Sequence, residues 1–203
     1  MIEIEGLYWP DDVGTKWQHA LMHVHSVDWA IAHCQQHRTA VQAGGNVGLW
    51  PRRLAEVFRR VITFEPEDIV RECLRKNVPA SVEVRAEALA DKPGACSMIH
   101  KSLGSHRVYF ADGDNQVPMT TVDALELDDL DFLQLDIEGY EWHALQGAKE
   151  TIQRCHPLVQ LEFRHHTNKY GQSDDSVRGL LVSWGYHLAA KRQGSDEVFR
   201  WMP

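Results

Sequence analysis

The sequence predicts an α/β fold in which a mostly parallel sheet carries helices on both faces. Short runs rich in β-branched and aromatic residues alternate with longer stretches of helical periodicity, which is the pattern of parallel strands joined by crossover helices. A glycine-rich turn follows the first of these strands, and a glutamate ends the second, as in sheets that bind nucleotides at their carboxyl edge. The last two strand-like runs flank a turn and predict an antiparallel end to the sheet.

The predicted elements can be placed along the chain to within a few residues. Apolar side chains at helical intervals predict an N-terminal helix over residues 16–34. Residues 95–110 predict an added hairpin with residues 112–115 as its exit turn, and residues 186–190 and 197–201 predict a closing hairpin. The remaining strands are predicted over residues 39–43, 61–65, 81–86, 132–136 and 157–163, and the remaining helices over residues 48–60, 67–77, 140–154 and 174–184.

Length and composition suit one compact domain. The chain has 203 residues, of which 43% are hydrophobic and 25% charged. We expect an N-terminal helical extension over about residues 1–37, a cofactor-binding half over about 38–92 and an acceptor-side half over about 115–203. No run approaches the roughly eighteen apolar residues of a membrane span, and no basic leader with an apolar run opens the chain, so we expect a cytoplasmic location and no membrane partner.

The charge balance argues against nucleic acid as a partner. Lys and Arg total 21 against 29 Asp and Glu, which gives a formal net charge of −8 with neutral histidines. Nucleic-acid binding is built from clustered cations. The nearest basic group, Arg52-Arg53 with Arg59-Arg60, has helical spacing and is expected on a solvated helix.

The first motif with chemical meaning is the turn VQAGGNVG at residues 41–48. Glycine permits positive φ and a close approach of the backbone to a ligand, and the following helix offers unpaired N–H groups. A small polar cofactor would fit there. The spacing is neither Gly-x-Gly-x-x-Gly nor a phosphate-binding P-loop, so the usual dinucleotide and ATP fingerprints are missing. A tight turn without a ligand stays open as the alternative.

The second motif is Glu65, which ends a strand about twenty residues after the glycine turn and precedes Pro66. In doubly wound folds, an acid at this point accepts hydrogen bonds from ribose hydroxyls, and proline can begin the next helix without wasting a donor. A glutamate at a strand end is by itself more often merely solvated. Together with the glycine turn, however, Glu65 predicts a ribose contact.

These motifs, in this order, resemble the FkbM family of S-adenosylmethionine-dependent methyltransferases. The similarity covers about residues 39–162, and its most specific part is the late acidic block. It is carried by the glycine turn and by the segments FEP at 64–66, AEALAD at 86–91, TVDAL at 121–125 and DFLQLDIEGYE at 131–141, with Asn77 between the first two of them.

The chain departs from the family pattern at two positions and has one distinctive local form. The family usually carries an acid where Gln42 stands and a lysine where Gln134 stands. The form VQAGGN followed by Trp50-Pro51 is similar to phage-encoded members, and the compartment would then be the cytoplasm of the host.

The resemblance implies a Rossmann-like class I methyltransferase with a seven-stranded sheet, mostly parallel with an antiparallel end strand. S-adenosylmethionine would lie across its carboxyl edge and leave as S-adenosylhomocysteine. Gln42 would accept a hydrogen bond from the cofactor's ammonium but lacks the charge of an aspartate, and Glu87 or the backbone of Ala88 would contact the adenine amine. The cofactor contacts so implied are Gln42, Gly44, Gly45, Asn46, Gly48, Glu65, Pro66, Glu87, Ala88 and Asp136.

A third motif places three acids, Asp136, Glu138 and Glu141, where an apolar strand meets a helix. Crowded carboxylates repel one another, which can raise a pKa toward the value that a general base needs. A cation is expected nearby, either the sulfonium of the cofactor or a divalent metal with oxygen ligands. We assign Asp136 to function and Glu141 mainly to the helix dipole.

The catalytic prediction is direct transfer to an acceptor hydroxyl whose proton is accepted or oriented by Asp136, with Glu162 or His165 as partners. Histidines 165 and 166 follow a strand that ends at the same sheet edge, although adjacent loop histidines are more often solvated. No zinc spacing is present. The resemblance suggests a sugar or another small hydroxylated metabolite as acceptor.

Two other functions stay open at this point. A nicotinamide-dependent oxidoreductase would also use the glycine turn and Glu65, but it needs a pyrophosphate site that the missing Gly-x-Gly-x-x-Gly does not supply. A methyltransferase-like module that binds a partner without catalysis is the other alternative, and the departures at Gln42 and Gln134 keep it open. The sequence does not predict the oligomeric state.

Overall fold

The computed structural model describes residues 1–24, 26–102, 105–109, 116–192 and 196–203. The predicted exit turn at 112–115 lies outside these ranges. The strands are β1 (Ile2–Ile4), β2 (Leu7–Trp9), β3 (Thr39–Ala43), β4 (Arg60–Phe64), β5 (Val82–Arg85), β6 (Ala88–Leu89), β7 (Gly94–Ser102), β8 (Ser105–Tyr109), β9 (Gln116–Thr120), β10 (Leu130–Leu135), β11 (Leu158–Glu162), β12 (Tyr186–Lys191) and β13 (Asp196–Trp201). The helices are α1 (Lys16–His23), α2 (Ser26–Ile31), α3 (Leu49–Leu54), α4 (Asp68–Asn77), α5 (Glu141–Gln146), α6 (Lys149–Cys155) and α7 (Asp174–Ser183).

The main sheet confirms the predicted α/β architecture. Within the described part of the chain it has seven strands in the order β12-β13-β11-β10-β3-β4-β5. The neighbours from β11 to β5 are parallel, and β13 runs antiparallel to both β11 and β12. The antiparallel strand therefore lies one position in from the edge. The strand order reverses between β3 and β10, which is the point where such sheets bind ligands.

Helices cover both faces of this sheet. On one face, buried side chains of α5, α6 and α7 pack against β3, β10 and β11. On the other face, α2 and α3 pack against the same strands and β4. Parallel strands buried on both faces are expected to be apolar throughout, and β10 has no exposed residue. Among the described residues, no helix is long and apolar enough to cross a membrane.

The N-terminal region differs from the single helix predicted over residues 16–34. It begins with the antiparallel pair β1 and β2, and the helical part is divided into α1 and α2. Trp9 is 1% exposed and anchors β2 in a separate apolar cluster with α4. The Asn77 side chain donates to the carbonyl oxygens of Tyr8 and Val47 and accepts from the Tyr8 N–H. These hydrogen bonds fasten β2 to the glycine turn.

The predicted hairpin over residues 95–110 is confirmed as β7 and β8, which pair antiparallel. It belongs to a second sheet with the order β6-β9-β7-β8, in which β6 and β9 were not predicted. These two strands are short and follow no clear alternation, so their pairing depends on contacts across the fold.

Two predicted helices are shorter than expected. The helix predicted over 48–60 ends at Leu54, and the one predicted over 140–154 is divided at Gly147 into α5 and α6. A Cβ on Gly147 would lie 2.0 Å from the carbonyl oxygen of Ala90, so close packing fixes the break there. The carboxylate of Asp123 accepts hydrogen bonds from the N–H groups of Glu150 and Thr151 and so caps α6 from a neighbouring turn.

A row of polar side chains crosses the sheet beneath α2 and α3. Thr63, Gln42, Gln134 and Gln160 are in register on β4, β3, β10 and β11, and each is at most 1% exposed. Gln42 is fully hydrogen-bonded, since its amide nitrogen donates to the carbonyl oxygens of residues 43 and 44 and its oxygen accepts from the Thr63 hydroxyl. Gln160, in contrast, has no partner for either amide atom among the described residues.

Asp123→Ala should lower the free energy of unfolding by about 1 kcal/mol, because the first N–H groups of α6 lose their acceptor. Urea unfolding followed by circular dichroism measures this change. The control is Asp128→Ala, which removes a carboxylate that is 86% exposed and pairs with Arg154 on the same helix. The control should leave the midpoint unchanged, and equal midpoints for both variants would contradict the capping role.

Gln160→Met should raise the free energy of unfolding by about 1–2 kcal/mol, because it replaces a buried amide without partners by an apolar side chain of similar length. The matched variant Gln42→Met should lower it by about 1–3 kcal/mol, since the Thr63 hydroxyl loses its acceptor and the carbonyl of residue 44 loses its donor. Thermal and urea unfolding measure both changes. A loss of stability for Gln160→Met as large as that for Gln42→Met would contradict the difference between the two amides.

Candidate functional site

A pocket opens at the carboxyl edge of the main sheet, where β3, β4 and β10 end. It extends over the segment after β5 toward the start of β7. Its lining residues are Ala43, Gly44, Asn46, Phe64, Glu65, Pro66, Glu87, Ala88, Leu89, Met98, Asp136, Ile137, Glu138 and Tyr140. The structure thus brings together seven of the predicted cofactor contacts, namely Gly44, Asn46, Glu65, Pro66, Glu87, Ala88 and Asp136.

The glycine turn is held against the neighbouring strand ends. The N–H groups of Gly44 and Gly45 both donate to the carbonyl oxygen of Phe64, at 3.1 and 2.9 Å. Gly44 has φ +83°, and a Cβ there would lie 2.0 Å from the carbonyl oxygen of Asp136. Only glycine fits at this point, because the turn must pass directly against the end of β10.

Three residues predicted as cofactor contacts do not line the pocket, namely Gln42, Gly45 and Gly48. A Cβ on Gly45 would meet Leu74 and Thr63, and one on Gly48 would meet Leu74 and Val78. Both glycines therefore allow α4 to pack behind the turn.

Gln42 also departs from its predicted role. It is 0% exposed, and its amide oxygen already accepts from Thr63. The prediction that this oxygen meets an ammonium group is wrong, because strand alternation directs the side chain beneath the turn and away from the pocket.

Glu65 is the most buried acid of the pocket, with 6% of its surface exposed. Its carboxylate oxygens accept from the N–H groups of Asn46, at 2.8 Å, and Glu67, at 3.0 Å. Arg71 donates to the carbonyl oxygens of Glu65 and Pro66 and so fixes the backbone after β4. Burial raises the pKa of Glu65 to about 7, against the effect of the two N–H groups. The group is therefore poised to ionise when a further donor approaches.

A cluster of acids lies at the ends of β10 and β11. Asp136 and Glu162 share a hydrogen bond, and the pKa of Asp136 is raised well above its usual range by burial first and then by Glu162, Glu141 and Glu138. Two carboxyl groups can share a hydrogen bond only if a proton lies between them. Arg164 pairs with Glu162 at 2.7 Å, so the proton is assigned to the Asp136 side of the pair.

Glu141 stabilises the loop between β10 and α5. One carboxylate oxygen accepts from the N–H groups of Ile137 and Gly139, at 3.1 and 3.2 Å. Burial raises the pKa of Glu141 to about 7. Glu138, in contrast, lines the pocket and has φ +59°, a left-handed conformation that is uncommon outside glycine. This left-handed backbone conformation sets the direction of the loop at Glu138.

The two histidines after β11 have different surroundings. The side chain of His165 is 86% exposed and pairs with Asp174 at 3.0 Å, so it lies away from the pocket. The prediction that His165 serves the reaction is therefore wrong. His166 lies on the other side of the loop, where its Nδ1 is 2.9 Å from Glu138. Sequence alone could not separate the two, because the left-handed conformation of His165 reverses the direction of the chain.

Among the described residues, no group of three or more His, Cys, Asp or Glu side chains is arranged to hold a metal ion. The acids of the cluster instead contact one another, backbone N–H groups and nearby basic side chains.

The far end of the pocket is formed by Glu87 and apolar side chains. Glu87 accepts a hydrogen bond from Arg85 at 2.5 Å. Phe64, Leu89 and Met98 supply apolar surface to the same pocket. Sequence reasoning missed these apolar walls and also Tyr140, which is 2% exposed and packs on His143. The alternation of side chains along β4 could have predicted the position of Phe64. It could not have predicted that of Met98, which comes from the added hairpin.

Three solved methyltransferase structures have a similar fold. The chain is similar to the methyltransferase FkbM from Methylobacillus flagellatus KT, with 14% identity and a TM-score of 0.55, covering 94% of this chain and 61% of that one. It is also similar to a TehB-like SAM-dependent methyltransferase from Corynebacterium glutamicum (12% identity, TM-score 0.52, 95% and 97% covered). A third is the N-methyltransferase NodS from Bradyrhizobium japonicum WM9 (9% identity, TM-score 0.55, 94% and 99% covered).

Because these identities are low, the likeness establishes the class I methyltransferase fold alone. The chain spans about three fifths of the length of the Methylobacillus protein. No curated protein sequence matches the chain significantly. The model of the methyltransferase FkbM domain matches residues 42–188, which is most of the chain. The chain therefore belongs to the FkbM methyltransferase family.

Proposed function

We propose that the chain transfers the methyl group of S-adenosylmethionine to a hydroxyl oxygen of a small polar acceptor, such as a sugar. The observation that carries the proposal is the pocket itself, which brings together a buried carboxylate after β4, a second carboxylate after β5 and several apolar side chains. Membership of the FkbM family supports methyl transfer. The acceptor class rests on the resemblance and on the polar character of the acid cluster.

The residues of the pocket fit the parts of the proposed cofactor. Ribose hydroxyls are donors, and Glu65 offers an acceptor at the depth where β4 ends. An adenine ring needs flat apolar surface, which Phe64, Leu89 and Met98 provide, and its amine is a donor suited to Glu87. The absence of a Cβ at Gly44 lets the turn lie directly against Asp136, so that both residues line the same pocket.

The cofactor supplies a methyl group bound to a positively charged sulfur, so transfer to oxygen requires an oriented acceptor and a place for the hydroxyl proton. Glu138 and the single negative charge of the Asp136–Glu162 pair give this part of the pocket a negative field that favours a cationic centre. Asp136 would orient the acceptor hydroxyl and receive its proton as the proton already shared with Glu162 moves to Glu162, so that the pair ends with both carboxyl groups protonated. Orientation is expected to supply most of the rate.

Calorimetry and a transfer assay test this proposal. The protein should bind S-adenosylhomocysteine and should not bind a nicotinamide dinucleotide. With methyl-labelled S-adenosylmethionine and a panel of sugars and other hydroxylated compounds, mass spectrometry should detect a product carrying the label on oxygen. Heat with the dinucleotide alone would overturn the proposal, and cofactor binding without transfer to any member of the panel would favour a binding module.

Glu65→Gln should weaken S-adenosylhomocysteine binding by about 1–3 kcal/mol, because an ionisable acceptor for the ribose is lost. The pH dependence gives a second readout. Ribose hydroxyls donate to the ionised carboxylate, whose pKa in the free protein is about 7. Binding therefore releases a proton, and the affinity of the unmodified protein should rise as pH increases from about 6 to 8. Calorimetry in buffers of different ionisation enthalpy measures the release.

The control for this pH dependence is Glu141→Gln. The pKa of Glu141 is also raised to about 7, but Glu141 does not line the pocket. This variant should keep the rise in affinity with pH, whereas Glu65→Gln should lose it. A rise that survives in Glu65→Gln would remove the ribose assignment.

Asp136→Asn should lower turnover by roughly 10²–10⁴-fold, the usual contribution of a positioned acid or base. Its affinity for S-adenosylhomocysteine should change by less than about tenfold, because Asn keeps the shape of the pocket. Initial rates with an acceptor found in the panel, together with calorimetry, separate the two effects. A loss of affinity without a matching loss of turnover would show that Asp136 serves the cofactor and not the acceptor.

A further inference from the structure

Arg85 connects the two carboxylates that are proposed to hold the nucleoside. Its carbonyl oxygen accepts from the N–H of Glu65 at 3.0 Å. Its guanidinium donates to Glu87 at 2.5 Å and to Glu83 at 3.2 Å. Arg85 is the last residue of β5, the edge strand beside the pocket. The residue therefore touches one proposed contact through its backbone and the other through its side chain.

The guanidinium of Arg85 is held in place by its surroundings. It lies over the ring of Phe64, with 5.7 Å between the guanidinium carbon and the ring centroid, and Phe64 lines the pocket. The Arg85 side chain is 30% exposed, so solvent only partly screens its charge. A planar group that lies over an aromatic ring and is paired with two carboxylates has few alternative positions.

Arg85 orients Glu87 and favours its ionised form. Burial acts to raise the pKa of Glu87, but the hydrogen bond and charge of Arg85 outweigh it, so the pKa lies below its usual value. An ionised carboxylate can only accept hydrogen bonds. A protonated carboxyl group can also donate, and it would then pair with a carbonyl as readily as with an amine.

We propose that Arg85 is a positioning residue that makes the pocket select a base with an exocyclic amine over a base with a carbonyl at the same place. This inference rests on the proposed function, since it concerns the nucleoside of the same cofactor. Arg85 keeps Glu87 oriented and acceptor-only. An adenine amine donates to that carboxylate, whereas the carbonyl of a deaminated base meets it oxygen to oxygen and is repelled.

A merely structural role for Arg85 predicts a different result. Ion pairs with Glu83 and Glu87 could serve only to protect the edge strand from other strands. Loss of the side chain would then weaken the binding of any nucleoside to the same extent. Selective loss of discrimination separates the two explanations. The backbone contact with Glu65 survives any substitution at position 85, so the ribose side is unaffected.

The test compares S-adenosylhomocysteine with its deaminated analogue S-inosylhomocysteine by calorimetry on the full chain. The unmodified protein should bind the adenine compound at least about a hundredfold more tightly, because the analogue leaves a buried polar group mispaired. In Arg85→Met this ratio should fall below about tenfold, and Arg85→Lys should restore most of it. Glu87→Gln should also lose the preference, because an amide can pair with either base.

Arg60→Met is the matched control. Arg60, the first residue of β4, pairs with Glu83 of the edge strand β5 at 3.0 Å and is 51% exposed, but no hydrogen bond joins it to Glu87 in the described structure. The ratio of the affinities of Arg60→Met for S-adenosylhomocysteine and S-inosylhomocysteine should equal that of the unmodified protein. Should Arg85→Met fail to fold, Arg85→Gln makes the same comparison without the charge.

The outcomes distinguish this inference from the proposed function. If the unmodified protein binds neither compound, the proposed function fails. If it binds both equally well, or if the Arg85 variants weaken both equally, the function stands and the role of Arg85 is overturned.

Discussion

The contact between the Gly44 backbone and the carbonyl of Asp136 is the constraint on which the rest of the site depends. It brings the end of β3 against the end of β10, and the N–H groups of Gly44 and Gly45 hold the same turn to Phe64 at the end of β4. The three strand ends therefore converge on one pocket. The side chains that follow the ends of β4 and β10, Glu65 and Asp136, line this same pocket, and a Cβ at residue 44 would clash with the backbone of Asp136. A local property of one residue thus determines a long-range arrangement.

The carboxyl groups of the pocket differ in pKa because they have different hydrogen-bond partners. Glu87 has a guanidinium partner and a lowered pKa, whereas Glu65 has backbone N–H groups and a raised one. Asp136 has another carboxyl group as its partner, and its pKa is raised well above its usual range, first by burial. Carboxylates without a full positive partner make the site electrostatically incomplete, which favours a ligand that brings donors and positive charge. The three acids therefore suit three different parts of one ligand.

The positions of Glu65 and Asp136 could be predicted because each directly follows a strand, and parallel strands end at the same edge. Side chains within or beyond the strands were harder to place. Strand alternation places the Gln42 side chain on the face of β3 that points away from the pocket. The left-handed backbone of His165 turns its side chain outward. Met98 reaches the pocket only through the pairing of β7 with β9, a contact between distant segments that no local pattern encodes. Likewise, the division between α5 and α6 depends on the carbonyl of residue 90, which lies far away in the sequence.

The location of β13 has a consequence for synthesis of the chain on the ribosome. Although β13 follows β12 in sequence, it lies between β11 and β12 and makes every hydrogen-bonded contact that joins β12 to the main sheet in the described structure. Until residues 196–201 have been translated, β11 is an open edge, and β12 has no strand to pair with. The nascent chain would therefore expose this unpaired edge only late in translation, between the synthesis of β11 and that of β13, and chaperones that shield such edges would act late.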